Sequence, residues 1–61
     1  MSETERVVAW RELRFLEMGY GPSVAARLAL DLGCDLHRVG DEIARLIASG
    51  CPPGLAREIA V

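Results

Sequence analysis

Cys34, His37 and Cys51 are the side chains whose types could do chemistry, and that chemistry would be metal binding or thiol exchange. Cys34-x-x-His37 sets a thiol and an imidazole close together, with Cys51 further along the chain. Three such ligands fall short of the four that a structural zinc site takes, so no metal is expected. Each cysteine follows a glycine just before a helix start, which leaves a disulfide open to them. The plainer reading is two reduced thiols acting as small apolar groups. His37 is the sole histidine and sits in the first turn of a predicted helix, off its apolar stripe. Ser2, Ser23 and Ser49 stand at predicted helix ends, where capping accounts for them. Gly19-x-Gly21 has no preceding strand and no further glycines, so it is not a phosphate cradle. The nine acidic residues fall mostly on predicted solvent faces. Neither an enzyme nor a cofactor is expected.

The elements that must position these residues are helices. With 61 residues the chain is read as one domain, residues 1–61, of marginal stability. The 51% apolar content is generous for such a core, so some apolar surface should stay outside. Net charge is −2, every cation is arginine, and lysine, asparagine and glutamine are absent. That bias fits GC-rich coding and a bacterial source. No basic stretch precedes an apolar run near Met1, and nothing reaches the ~20 apolar residues of a membrane span. The expectation is a cytoplasmic protein with no membrane contact.

Ser2-Glu3-Thr4-Glu5 carries the capping-box spacing and opens a helix over 3–18. Ala9, Trp10, Leu13 and Leu16, with Tyr20 just beyond, form the stripe expected to face the core. A second strip, Val8, Phe15 and Met18, lies on another side; it either packs as well or is held out for a partner or a second copy. Gly19 ends this helix, and Pro22 starts another over 22–32, with Val24, Ala25, Leu28, Ala29 and Leu32 inward. Gly33 closes it. Asp35 caps a third helix over 36–49, whose stripe is Leu36, Val39, Ile43, Leu46 and Ile47. Asp41 and Arg45 make an acid-to-base pair on its outer face. Gly40 on the inner edge suggests room for another backbone. After Gly50, Pro53 starts a last helix through Ala60, with Leu55 and Ile59 inward. The expected core is Trp10, Leu13, Leu16, Val24, Leu28, Val39, Ile43 and Ile47. No internal repeat or linker is visible.

Helices two and three can be laid on a helix-turn-helix template, with Ala29, Gly33 and Val39 at its alanine, turn and aliphatic positions. The second of them would turn Asp35, Asp41 and Glu42 toward phosphates, offset only by Arg38 and Arg45. DNA binding therefore stands as the alternative, behind protein binding.

Leu16-Glu17-Met18-Gly19-Tyr20, then Ala25, Ala29 and Leu30, then Asp35-Leu36-His37-Arg38, resemble a ubiquitin-associated (UBA) domain over about residues 13–47. The resemblance implies a compact three-helix bundle, here with a short fourth helix. It also implies an apolar patch that grips a partner protein: Met18, Gly19 and Tyr20 on one side, Leu46 and Ile47 on the other. Its third helix is about one turn longer than the family pattern, and in a bacterium ubiquitin would not be the partner. The chain also looks like small actinobacterial proteins of no assigned activity. The sequence thus predicts an all-α, non-enzymatic protein–protein interaction module. Its candidate surface comprises Met18, Gly19, Tyr20, Leu46 and Ile47, or Val8 and Phe15, facing another protein or a second copy.

Overall fold

The computed structural model describes residues 2–61, and these form four helices with no strand: α1 (Glu3–Glu17), α2 (Pro22–Leu30), α3 (Leu36–Ala48) and α4 (Pro53–Ala60). Local chemistry sets each start. The Ser2 hydroxyl accepts from the Glu5 amide at 3.2 Å, and Asp35 Oδ1 accepts from the amides of His37 and Arg38. Pro22 and Pro53 open α2 and α4, where a missing N–H is harmless.

Two glycines set the principal ends. Gly19 and Gly50 have φ of 101° and 97°, a region that a side chain would strain. After α1 the Gly19 amide donates to Leu16 O and the Tyr20 amide to Phe15 O. After α3 the Gly50 amide donates to Ile47 O and the Cys51 amide to Leu46 O. Both are Schellman closures, which satisfy the last carbonyls and turn the chain back. In each case a proline three positions after the glycine starts the returning helix.

The result is two helical hairpins, α1 on α2 and α3 on α4, joined through a smaller contact of α1 with α3. The joined molecule measures 41 × 18 × 15 Å. A repeat emerges that residue pattern alone concealed. Val8 and Val39, Gly19 and Gly50, Pro22 and Pro53, Ala25 and Ala56, and Ala29 and Ala60 are all 31 positions apart. Both alanine pairs are buried, so each returning helix lays an i, i+4 alanine edge inward. In α4 this replaces the expected Leu55 and Ile59, which are exposed. Alanine wins there because it lets helix backbones approach closely.

Helix α1 corrects the sequence reading most. Its inner face is Val8, Arg11, Phe15 and Met18, with Phe15 fully buried. Trp10, Leu13 and Leu16, expected in the core, are 50%, 59% and 36% exposed. Ile47 is likewise exposed, whereas Leu28, Val39 and Ile43 are buried as expected and Val24 packs at the core margin. Helix α2 stops at Leu30, so Leu32 is outside. Asp31 makes that exit: its carboxylate accepts from the Gly33 amide at 3.0 Å and its carbonyl from the Cys34 amide. Gly33 itself has no positive φ. Helices α2 and α3 do not pack on one another, so the helix-turn-helix pairing is not formed. Arg45 pairs with Glu42 rather than Asp41, Nε to Oε2 at 3.2 Å. That bond lowers the Glu42 pKa and raises that of Arg45.

Gly40 makes room for a side chain, not a backbone. A Cβ placed there would meet the Met18 methyl at 3.4 Å, an ordinary contact. Gly40→Ala should therefore stabilise the protein by about 0.5–1 kcal/mol through helix propensity. For a chain this small that raises the melting temperature by roughly 2–8 °C. A lowered melting temperature would show that Met18 cannot give way.

Candidate interaction surface

The Met18-Gly19-Tyr20 corner is built by the Schellman closure of α1. That closure brings the third residue from the helix end, Phe15, against the third residue past it, Tyr20. Their rings meet edge to face, centroids 5.9 Å apart at 76°. Tyr20 is buried, and its hydroxyl donates to the Arg57 carbonyl of α4 at 2.9 Å. A Cβ on Gly19 would lie 2.9 Å from Arg57 Nη1, so the Arg57 side chain of α4 reaches across the corner. The corner therefore fastens one hairpin to the other.

Of the seven residues singled out in the sequence, Phe15 and Tyr20 lie inside the core, which leaves neither ring exposed for docking. Val8, Met18 and Leu46 pack at the core margin, and Gly19 and Ile47 are exposed. Val8 is ten residues from Met18, about 15 Å along α1. Met18 meets α3 at Gly40, roughly 9 Å along that helix from Leu46.

Burial raises the Tyr20 pKa, with Cys34 adding to the rise and Arg57 opposing it. The folded protein thus holds a proton that the unfolded chain releases as pH climbs past about 10. Stability from this source is complete below that pH and declines above it. Tyr20→Phe should cost about 1 kcal/mol at neutral pH and flatten the alkaline decline. Denaturant midpoints measured between about pH 8 and 11 check this; parallel curves for both proteins would refute the linkage.

Arg11 is the polar centre of the fold. Its Nε donates to Ala29 O at 3.1 Å, while Nη2 reaches Asp31 O at 3.0 Å, Cys34 O at 2.7 Å and Leu28 O at 3.3 Å. The guanidinium also lies 5.7 Å from the Phe15 ring centroid. One cation thereby bonds two of the last carbonyls of α2 and two in the turn into α3.

Cys34 is buried, Cys51 is half-buried, and both are free. Among the described residues no three His, Cys, Asp or Glu side chains gather as metal ligands. No helix among them is long and apolar enough to cross a membrane. Surface hollows are present among the described residues. One of about 270 Å³ lies beside Val7, Val8 and Leu32, and one of about 470 Å³ lies between α2 and α4 at Val24, Arg27 and Arg57.

The surface that sequence reasoning missed is the outer face of α1. Trp10, Leu13 and Leu16 stand there with Ala9, flanked by Arg6 and Glu17. The Arg14 guanidinium sits 5.8 Å from the Trp10 ring centroid and bonds Glu17 at 3.0 Å. The stripe itself was plain in the sequence; its direction was not. What the fold and this face define is an all-helical protein of two hairpins with an uncovered apolar helix face. Compared with known proteins, the chain matches no family model, no curated protein and no solved structure.

Proposed function

We propose that this protein is a small, non-enzymatic interaction module of the cytoplasm that docks an apolar patch on another protein chain. The observation that carries the reading is the outer face of α1, where Trp10, Leu13 and Leu16 stay exposed although the fold has a core to offer. A tryptophan held in place by an arginine is the kind of anchor on which interface energy concentrates. The UBA resemblance favours the same class of function. Of its expected patch, Ile47 is exposed and Met18 half-buried, beside a Tyr20 turned inward.

A photo-crosslinking residue placed at position 13 tests the proposal in cells, with position 41 as control. Adducts to a defined protein from position 13, absent from position 41, are expected. Equal and diffuse labelling from both would sink the reading.

A further inference from the structure

We propose that the outer face of α1 docks on the same face of a second copy of this chain, antiparallel and related by a two-fold axis. This rests on the docking reading above and names the occupant. Arg6, Trp10, Leu13 and Glu17 follow one another at spacings of four, three and four. Such spacing keeps side chains on one seam between two helices. All four are exposed. The middle of the seam is apolar, and its two ends carry opposite charge.

That order is self-complementary in one direction only. A two-fold axis crossing α1 midway between Arg11 and Glu12 sets Trp10 against Leu13 of the second copy, and Arg6 against its Glu17. Symmetry makes each contact twice. Ala9 then falls beside Leu16 of the second copy, small against large. A parallel arrangement would put Arg6 on Arg6 and Glu17 on Glu17, which like-charge repulsion disfavours. Arg14 lies beside both Trp10 and Glu17 in the single chain, so part of the side-chain ordering precedes docking.

The face sets the strength as well. A 15-residue helix is about 22 Å long, too short to supply the ~800 Å² per partner of a standard interface. The dimer is therefore weak and concentration-dependent, with a dissociation constant of about 10 μM to 1 mM.

Sedimentation equilibrium of the full chain over that concentration range tests the proposal. The mass should rise toward twice the monomer. Leu13→Asp should weaken association at least about a hundredfold. Arg6→Glu and Glu17→Arg should each weaken it about tenfold, since each creates two like-charge contacts. Mixing those two variants should restore association, because each supplies the charge that the other has lost. Both substitutions suit the helix dipole, but Glu17→Arg also removes the pair with Arg14, so circular dichroism of each variant, expected to stay helical, separates lost association from unfolding. A protein that stays monomeric throughout, or charge variants that fail to rescue each other, overturns the proposal. If position 13 still labels a different protein in cells, the occupant is wrong and the docking reading stands. No specific adduct from position 13 would end both.

Discussion

Phe15→Ala is expected to leave the protein mostly unfolded at room temperature. Phe15 is fully buried, and its ring meets both the Tyr20 ring and the Arg11 guanidinium. Truncating a buried phenylalanine costs about 3–5 kcal/mol. A chain below about 70 residues rarely has more than that in total. Circular dichroism should therefore show loss of most helical signal. Leu13→Ala on the opposite face is the control and should cost about 1 kcal/mol or less. The reverse result, an intact Phe15→Ala and a collapsed Leu13→Ala, would mean that α1 faces the other way.

The second large effect is expected at Arg11. Arg11→Met keeps much of the aliphatic stem but removes the donors that reach four carbonyls. Those carbonyls end α2 and begin the turn to α3, and they would be left poorly satisfied. Charge-assisted bonds of this kind contribute about 1.5–3 kcal/mol, less than additively within one fork. A loss of roughly 2–3 kcal/mol follows. Arg11→Lys should rescue little, because an ammonium cannot span the same acceptors. Urea unfolding of the three proteins checks this. Full rescue by lysine would show that positive charge near the end of α2 matters more than the fork.

Much of the local structure was legible. Ser2, Pro22, Asp35 and Pro53 marked helix starts, and Gly19 and Gly50 marked ends, because caps and left-handed glycines act through neighbouring residues alone. Facing was harder. Helix α1 has two apolar stripes, and the bulkier Trp10–Leu13–Leu16 stripe lost to Val8–Phe15–Met18. The deciding signal was present in the closure itself. A glycine at position 19 brings residues 15 and 20 together, and the chain enters α2 two residues after Tyr20, so α2 returns on the Phe15 side. Gly50 does the same for Leu46 and Cys51. Helix α4 misled for another reason: bulk favoured Leu55 and Ile59, while the geometry of close helices favoured Ala56 and Ala60. The role of Arg11 was not legible, since its acceptors lie 17 or more positions away and are backbone atoms.

The pairing of α1 with α2 and of α3 with α4 also bears on how quickly the chain finds its shape. Each pairing joins neighbours in sequence across a short reversal fixed by a glycine and a proline. Closing such short loops costs little chain entropy, and topologies dominated by near-neighbour contacts cross low barriers. The contacts between the halves, Met18 with Gly40 and Tyr20 with the Arg57 carbonyl, span 22 and 37 positions and close the larger loops. Most pairings thus lie between neighbours in the sequence, which shortens the search for the native state.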